Sequence, residues 1–484
     1  IMNVRTNHEQ AAAHAADAYG RVTGKPGVCM STSGPGATNL MTGLANAFLD
    51  SSPLLALTGQ VSTDLLGLDS FQEVDVSGVS KPITKSNYLL EKPEEVPQKM
   101  MKAFMDSVSG RSGPVLVDLP KDVQQSDLKY KLDVDPVMDS DGVDSEFSDD
   151  KIDLVMELVS DSERPVVLVG GGVESAGAED ELSEFVHGLD IPVVSSLMGL
   201  ECFSNSDPLF LGMVGMHGSV AANKAVTNSD LLIAVGTRLD DRMTGKKSEF
   251  APDATLVHVD IDSGEMGKIL EPDVPVVGDA KKVLGKMNEF SFDRTDSWGW
   301  LDTVSEWKDE FSYDGSGCLS PQRVVSLLDE KTSDSAIVTT GVGQHQMWVA
   351  QEYSFEPSND LITSGGLGTM GFGFPAALGA KLGAPDREVV AVTGDGSFQM
   401  NVQELETFKR LDLDVTVVIL RNNYLGMIRQ WQELFFENNV YEASLRESPS
   451  LAKIAEAYGV HGVTVKELDE LDKKLVEALA HNGP

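Results

Sequence analysis

The chain has 484 residues, an apolar share of 41% and a formal net charge of −38 at pH 7. Its length exceeds what one small core can organise and predicts two to four domains. The charge argues against nucleic acid or an anionic membrane as a partner, and no apolar run is long enough to span a bilayer.

The acidic residues are spread along the chain, in stretches such as ESAGAEDELSEF, and do not form one tail. Dispersed acid with an ordinary apolar content indicates a halophilic protein, because a high-salt cytoplasm screens the self-repulsion. The alternative is an acidic protein without that adaptation. Cys29, Cys202 and Cys318 lack metal-binding spacing, and their odd number argues against a disulfide framework. We therefore expect a reducing, cytoplasmic location.

The chain opens with IMNV, which predicts a short strand, and ends with ALAHNGP, where a further strand is expected. We therefore expect both ends to be truncated. Between them, continuous apolar strands alternate with helices, which is typical of parallel sheets covered on both faces. The strands include GPVLVDLP, PVVLVG, LLIAVG, VVAVTG and VTVVIL. We predict an α/β protein with three doubly wound parallel-sheet domains.

The predicted domain boundaries follow this alternation. They define an N-terminal domain at 1–125, an acidic linker at 126–147, a central domain at 148–285, a connector with one helix at 286–316 and a C-terminal domain at 317–484. The acidic composition and weak patterning of the first connection identify it as a linker.

One stretch of the C-terminal domain, VVAVTGDGSFQMNVQELETFKRLDLDVTVVILRNN, carries polar residues after each of two apolar runs. Asp395 and Asn422 both follow predicted strands joined by one helix, so the two side chains are expected to meet at one sheet edge. Carboxylate and amide oxygens suit Mg²⁺, with a backbone carbonyl, water and a diphosphate completing the shell. Gly394 and Gly396 would let the backbone approach that diphosphate. The alternative is a pair of ordinary surface turns.

The GDG motif, followed after about two dozen residues by NN, resembles the signature of thiamine diphosphate enzymes. Such enzymes need a glutamate against the aminopyrimidine ring, and NHEQAAAHAADAYGRVTGKPGV resembles the segment that carries it. Glu9 is that residue, at a predicted strand-to-helix junction; alone, it would be an ordinary acid in a first helical turn. STSGPGATNLMTGLANAFLDSSPLLALTGQV, TTGVGQHQMWVAQ and SGGLGTMGFGFPAALGA resemble the acetohydroxyacid synthase (acetolactate synthase) large-subunit family, and the similarity covers essentially the whole chain.

This resemblance implies roles in the first and last domains. Glu9, Gln72 and Lys121 would act at the reacting centre, and Phe71 and Trp431 would shape the substrate pocket. Asp395, Asn422 and the backbone of Tyr424 would bind Mg²⁺. The cofactor would be contacted by Val342, Gly343, Gln344, His345, Gly368, Met370, Gly394, Gly396, Ser397, Gly426 and Met427. Without the resemblance, core packing is the better interpretation of Met370 and Trp431. His345 could then be a loop histidine whose hydrogen bonds are satisfied within the protein.

In the central domain, Gly170, Gly171 and Gly172 follow a predicted strand, which suits a nucleotide phosphate, and Asp260 ends a strand as a ribose-binding acid would. The spacing is not GxGxxG, so NAD is disfavoured. The resemblance implies FAD, without net redox chemistry. Its further contacts would be Arg111, Ser196, Leu197, Met213, Met216, His217, Gly236, Arg238, Asp240, Arg242, Ile261, Asp279 and Ala280.

Two departures from the family pattern stand out. Asn7 occupies the place of a usual arginine before His-Glu-Gln, for which we expect a modest effect because Glu9 is retained. We also expect the amino-terminal strand–helix segment to be missing, which in the family supplies a Gly-rich loop near the reacting carbonyl. The chain of 484 residues is therefore expected to be inactive by itself, even where the whole protein is active.

The implied function is acetolactate synthase: decarboxylation of pyruvate and transfer of the two-carbon unit to a second 2-keto acid, feeding valine, leucine and isoleucine synthesis. The implied assembly is a homodimer, or a dimer of dimers, with active sites at the interface and a small regulatory subunit. The alternatives are a sibling enzyme (pyruvate oxidase, 2-keto acid decarboxylase or catabolic acetolactate synthase) and a non-catalytic nucleotide-binding or assembly protein. Glyoxylate carboligase is disfavoured by the glutamate at position 9.

Overall fold

The computed structural model describes residues 2–128, 147–290, 298–310, 318–357 and 359–484. It contains three sheets, of four, six and four strands, with parallel pairing throughout the registers described. The prediction of three parallel-sheet α/β domains is therefore confirmed. Most of the predicted acidic linker lies outside the described residues.

The first sheet has the strand order β1-β2-β4-β3. Its strands are β1 (Gly27–Ser31), β2 (Leu54–Gln60), β3 (Ser86–Leu89) and β4 (Pro114–Pro120). Its helices are α1 (Glu9–Thr23), α2 (Pro35–Asn39), α3 (Met41–Leu49), α4 (Val76–Ser80), α5 (Val96–Val108) and α6 (Lys121–Gln125). The apolar runs of β2 and β4 are largely buried, as expected of central strands covered by helices on both faces.

The second sheet has the order β10-β9-β8-β5-β6-β7. Its strands are β5 (Pro165–Val169), β6 (Val193–Ser195), β7 (Phe210–Met213), β8 (Leu231–Val235), β9 (Thr255–Asp260) and β10 (Val274–Val277). The helices of this part are α7 (Asp149–Asp161), α8 (Gly172–Ala176), α9 (Glu179–Leu189), α10 (Val220–Asn228), α11 (Asp241–Thr244), α12 (Ala280–Met287), α13 (Trp298–Glu310) and α14 (Pro321–Lys331). The direction of winding reverses between β5 and β8, which is where such sheets bind ligands.

The third sheet has the order β12-β11-β13-β14. Its strands are β11 (Ile337–Thr340), β12 (Asp360–Ile362), β13 (Val389–Gly394) and β14 (Thr416–Leu420). The remaining helices are α15 (Gln344–Glu352), α16 (Gly373–Gly383), α17 (Asp395–Gln399), α18 (Leu405–Leu411), α19 (Gly426–Phe435), α20 (Leu451–Ala457) and α21 (Leu468–Leu479). As predicted, β13 and β14 are neighbours, and the connection between them buries Leu405 and Phe408.

The chain divides into two compact units. The first combines Ile1–Gly142, Ser335–Gln346 and Ile362–Pro484, and the second combines Val143–Asp334 and Met347–Leu361. Within the first unit, helices α1 and α16 pack so closely that a Cβ on Gly379 would overlap the carbonyl oxygen of Ala15. Small residues at this crossing therefore let the two backbones touch.

Two details differ from or extend the sequence interpretation. The predicted strand IMNV does not form in the described residues 2–4, so Glu9 begins a helix but does not follow a strand. The connector does contain the predicted helix, α13. No helix within the described ranges is both long enough and apolar enough to cross a membrane.

Candidate active site

The loops that follow β11 and β13 converge around His345. A Cβ on Gly341 would overlap Ser397 Oγ and lie 2.8 Å from both His345 Nε2 and Thr393 Oγ1. His345 is buried, and its Nε2 has no hydrogen-bond partner among the described residues. Burial lowers the pKa of His345 to about 4, so the imidazole is neutral near pH 7. It therefore offers an unused nitrogen to a ligand at this edge of the sheet.

Asp395 and the residues after β14 form the second part of this cluster. Asp395 begins α17 directly after β13, and its Oδ2 accepts a 3.1 Å hydrogen bond from the backbone N–H of Asn423. Burial is the main cause that raises the pKa of Asp395. Asn422 turns its Oδ1 toward the N–H of Tyr424, which donates to it over 2.9 Å. A buried carboxylate beside an amide oxygen is the donor set that Mg²⁺ prefers.

Gln344 joins these two loops. Asn422 Nδ2 donates to Gln344 Oε1 over 3.2 Å, and Gln344 Nε2 donates to Gln430 over 3.1 Å. A Cβ on Gly426 would overlap Gln344 Oε1 and lie 2.5 Å from Asn422 Nδ2. A side chain at position 426 would therefore have to displace the Gln344–Asn422 hydrogen bond, and Met427 follows this glycine in the first turn of α19.

The loop before α16 supplies the third part. The Cε of Met370 lies 3.5 Å from where a Cβ on Gly396 would stand, and Gly368 adopts a positive φ of 70° opposite Val342. Thr369 is buried, and its Oγ1 has no partner within the described part of the chain. Three separate loops thus bring together most positions expected to contact a diphosphate cofactor.

The residues present fit thiamine diphosphate with a divalent cation. Two buried polar atoms, His345 Nε2 and Thr369 Oγ1, have no partner among the described residues, and buried polar groups normally find one. A Cβ on Gly394 would stand 2.8 Å from His345 Nδ1, and one on Gly396 would stand 2.9 Å from Leu425 Cδ2, so these glycines allow close packing beside the two polar atoms. No cluster of three or more His, Cys, Asp or Glu side chains that could hold a metal occurs among the described residues. A cation here would instead use one carboxylate, one amide and other oxygen donors.

Glu9 lies at the start of α1, in the first sheet's layer of helices. Its Oε2 accepts a 3.0 Å hydrogen bond from Asn39 Nδ2, and its Oε1 stands 3.3 Å from the position of a Cβ on Gly36. Helix α1 is capped by His8, whose Nδ1 accepts from the Gln10 N–H over 3.0 Å. The half-buried carboxylate of Glu9 is thus held at a defined helix N-terminus.

The predicted substrate residues occupy exposed or half-buried positions. Phe71 is 88% exposed, and Lys121 is the exposed first residue of α6. Gln72 adopts a φ of 61°, and a Cβ on Gly34 would stand 2.9 Å from its Cβ. A positive φ in a residue other than glycine costs on the order of 1 kcal/mol and is enriched at functional sites. Half-buried Trp431 on α19 packs edge-on against Phe435 at 5.7 Å.

In the second unit, the glycines after β5 pack against the backbone after β8. A Cβ on Gly170 would overlap the carbonyl oxygen of Gly236, and one on Gly172 would lie 2.6 Å from the Cα of Gly236. Gly171 is similarly confined, 2.9 Å from the Met198 carbonyl oxygen. The glycines are therefore needed for close packing at the reversal point, whichever ligand binds there. Buried Ser195 Oγ, at the end of β6, has no partner among the described residues.

The other predicted flavin residues of this unit also lie at the carboxyl ends of its strands. They are Ser196 and Leu197 after β6, Met213, Met216 and His217 at and after the end of β7, Gly236, Arg238, Asp240 and Arg242 after β8, Asp260 and Ile261 at the end of β9, and Asp279 and Ala280 after β10. Burial, followed by the charge of Arg242, lowers the pKa of His217. Asp240 and Asp279 cap helices α11 and α12. In the first unit, Arg111 Nε donates to Ser51 Oγ over 2.8 Å.

Family models for thiamine pyrophosphate enzymes match all three parts of the chain. The N-terminal TPP-binding domain matches residues 1–79, the central domain 152–287 and the C-terminal TPP-binding domain 341–484. A probable acetolactate synthase large subunit of Methanocaldococcus jannaschii is 46% identical over 100% of this chain and 84% of its own length. The acetolactate synthase isozyme 2 large subunit of Escherichia coli is 45% identical over 100% of this chain and 87% of its own length. The acetolactate synthase large subunit of Corynebacterium glutamicum is 44% identical over 97% of this chain and 77% of its own length.

The chain belongs to the acetolactate synthase large-subunit family of thiamine pyrophosphate enzymes. Membership in this family accounts for the presence of an N-terminal and a C-terminal TPP-binding domain in one chain. It also accounts for the six-stranded central domain, whose fold the family model covers.

Sequence reasoning about this acetolactate synthase family member missed three residues. Glu404 and Asn401 are buried polar residues that contact the loops carrying Glu9 and Met370, and Thr369 is buried with an unused hydroxyl. For Glu404 and Asn401 the signal in the sequence was their position between the two strands of the GDG–NN stretch, and for Thr369 its place beside Met370. Asn7, the departure from the usual arginine, is held by side-chain hydrogen bonds to Gln403 and Glu406.

Proposed function

We propose that this chain is the catalytic large subunit of an acetolactate synthase, with the residue roles given below. As a transferase of this family, it decarboxylates pyruvate and passes the two-carbon hydroxyethyl unit to a second 2-keto acid. The products are 2-acetolactate from pyruvate and 2-aceto-2-hydroxybutyrate from 2-ketobutyrate, which lead to valine, leucine and isoleucine. The observation that carries the proposal is a cluster at the edge of the third sheet: His345, whose Nε2 has no partner among the described residues, buried Asp395 and exposed Asn422.

Thiamine diphosphate, when bound, supplies the nucleophilic carbon and the electron sink for decarboxylation. The chain's own residues bind and orient it. Asp395, Asn422 and the Tyr424 carbonyl would hold Mg²⁺, and neutral His345 would donate a hydrogen bond to the diphosphate. Glu9 would hold a proton against the aminopyrimidine ring. Met370, whose Cε lies 3.5 Å from the position of a Cβ on Gly396, would contact the bound cofactor and help to orient it.

FAD is the proposed ligand of the second unit. What supports it is the set of strand ends around the reversal point, with a glycine turn after β5 and the acid Asp260 closing β9. Asp260 Oδ1 accepts a hydrogen bond from the Asp262 N–H over 2.9 Å, which holds the carboxylate at the end of β9, where a ribose hydroxyl would bind. The flavin would have no net redox role in this reaction.

The proposed assembly is a homodimer or a dimer of dimers, in which Glu9 of one chain reaches the cofactor held by its partner. A small regulatory subunit is a proposed partner because the relatives are named large subunits. A cytoplasmic location is proposed from the three free cysteines. Adaptation to high salt is proposed from the dispersed acidic surface.

The decisive experiment is an assay of the full-length protein in concentrated KCl with pyruvate, thiamine diphosphate, Mg²⁺ and FAD, leaving out each cofactor in turn. We expect acetolactate without oxygen uptake, and no product without thiamine diphosphate. Acetaldehyde, or acetyl phosphate with oxygen consumed, would assign the chain to a sibling enzyme. No turnover of pyruvate at any salt concentration would contradict the proposed activity.

Substitution of Glu9 tests the residue assignment within the same assay. Glu9→Gln keeps the size and the hydrogen bond to Asn39 but cannot hold the proton, and we expect a loss of turnover on the order of 10²–10⁴-fold. Glu94→Gln, an equivalent change at an exposed glutamate before α5, is the control and should retain full activity. Normal turnover in Glu9→Gln would remove the assigned role.

A further inference from the structure

Glu404 is a fully buried carboxylate that contacts the chain just before Glu9. Its Oε1 accepts hydrogen bonds from the backbone N–H groups of Asn7 and His8, each over 3.0 Å. Its Oε2 accepts from the Thr407 hydroxyl over 2.7 Å and from the Asn7 N–H over 3.2 Å. Its relative exposure is 0%, so these donors replace water as its solvation.

We propose that Glu404 is a positioning residue for Glu9. It holds the two peptide groups that precede the proposed catalytic carboxylate, and the inference rests on the role proposed for Glu9. His8 is the N-cap of α1 and Glu9 is the first residue of that helix. Fixing the His8 N–H therefore fixes the direction in which the Glu9 side chain leaves the helix.

The side chain of Asn7 strengthens this anchor. Its Nδ2 donates to the Gln403 carbonyl oxygen over 3.1 Å and to Glu406 Oε2 over 3.0 Å. The segment before Glu9 is thus tied by both backbone and side chain to the short turn Val402–Glu404 and helix α18. The Asn7 amide thus donates to both the Gln403 carbonyl and the Glu406 carboxylate.

The same anchor leads back to the Met370 loop. The Glu404 N–H donates to the Asn401 carbonyl oxygen over 3.0 Å, and buried Asn401 donates its Nδ2 to the Gly371 carbonyl oxygen over 2.8 Å. Gly371 directly follows Met370, and its N–H donates to Ser397 Oγ over 2.9 Å. Glu404 therefore connects the loop that carries Met370 with the segment that carries Glu9.

A purely structural role would affect stability without affecting how Glu9 acts, so the test separates the two. Glu404→Gln keeps the shape but turns one acceptor into a donor that faces N–H groups. Glu456→Gln is the control, because Glu456 is an exposed glutamate on α20 of the same unit and makes no contact with the segment before Glu9 among the hydrogen bonds of the described residues. Asn7→Ala is a second variant, which loosens the anchor if the Glu404 variants fail to fold.

The first measurement is hydrogen–deuterium exchange of the cofactor-free protein. We expect the Asn7 and His8 amides to exchange at least about tenfold faster in Glu404→Gln, with strand β13 and the body of α1 unchanged. Glu456→Gln should match the wild type at these amides. Unchanged exchange at Asn7 and His8 in both Glu404→Gln and Asn7→Ala would overturn the proposal.

The second measurement is turnover, alone and combined with Glu9→Gln. A misplacement of about 1 Å can cost on the order of 10²-fold, so we expect kcat to fall at least about tenfold with KM for pyruvate changed less than about threefold. In the Glu9→Gln background the same change should cost little more, since both act through one group. If Glu404→Gln kept full kcat, or if the losses of Glu404→Gln and Glu9→Gln multiplied in the double variant, the positioning role of Glu404 would be overturned and the role of Glu9 would stand. Full turnover in Glu9→Gln would instead refute the role of Glu9, and the inference with it.

Discussion

The backbone N–H of Asn423 donates a 3.1 Å hydrogen bond to Asp395 Oδ2 and so joins the ends of two neighbouring parallel strands. The carboxylate is buried, and that burial raises the pKa of Asp395. A carboxylate has about four acceptor sites, so Asp395 can accept the Asn423 N–H and also bind a cation. A divalent cation between Asp395 and Asn422 would supply the missing charge and complete this arrangement.

Replacing Asp395 with Asn should weaken cofactor binding. We expect turnover to fall at least about 10²-fold, because one charged ligand of the cation is lost. The affinity for thiamine diphosphate with Mg²⁺ should fall in parallel, as measured by calorimetry. Asp412→Asn, at an exposed helix C-terminus with φ 50°, is the control because asparagine tolerates that conformation. Normal calorimetric binding by Asp395→Asn would rule out the assigned ligand.

Trp431 should control the choice of the second keto acid. We expect Trp431→Leu to change the ratio of 2-aceto-2-hydroxybutyrate to acetolactate at least about fivefold in competition assays, because one methylene in a pocket discriminates by roughly 10–200-fold. The control is Phe435→Leu, which breaks the same aromatic pair from its exposed side. An equal change of ratio in both variants would indicate a packing effect and not a pocket role for Trp431.

Gly379→Ala should destabilise the first unit severely. The added methyl would overlap the Ala15 carbonyl oxygen at the crossing of α16 and α1, and overpacking against backbone costs about 3 kcal/mol or more in the free energy of unfolding. Gly188→Ala, in helix α9, meets nothing within 4 Å and should be neutral or stabilising by up to about 1 kcal/mol. Urea denaturation compares the two variants, and similar midpoints would contradict the close helix contact.

Asp118 should make stability depend on pH. Burial raises the pKa of Asp118 to about 6, although Thr58 and Gln60 donate hydrogen bonds to it over 2.7 Å and 2.9 Å. Because the folded pKa lies above the unfolded value, its favourable contribution is complete below about pH 4 and is lost as the pH rises through 6. The unfolding free energy of the wild type relative to Asp118→Asn should therefore fall between pH 4 and 7, by on the order of 1–3 kcal/mol. A flat difference over that range would contradict the raised pKa.

The net charge of −38 should make stability depend on salt. Screening shortens the range of repulsion from about 10 Å at 0.1 M salt to about 3 Å at 1 M, so the thermal midpoint should rise with KCl. Measuring the midpoint from about 0.1 M to about 3 M KCl, with sucrose of equal osmolality as the control, separates screening from general exclusion effects. A midpoint that does not respond to KCl would argue against adaptation to high salt.

The sequence by itself determined the class of fold and the place of the cation motif. Apolar runs such as VVAVTG and VTVVIL are local signals of buried parallel strands, and a single crossover between them makes neighbours of β13 and β14. Asp395 and Asn422 therefore had to come to one edge of the sheet. The resemblance of whole segments added the family and the expected cofactor.

Only the tertiary structure decided the contacts that span the chain. Glu404 meets Asn7 across 397 positions of sequence, and Gly379 meets Ala15 at a helix crossing that neither local pattern specifies. The same holds for the glycines after β5, which sequence reasoning assigned to a phosphate and which the fold requires for packing against Gly236. Hydrogen bonds and backbone contacts of this kind depend on how whole elements pack, and short-range periodicity carries no information about that packing.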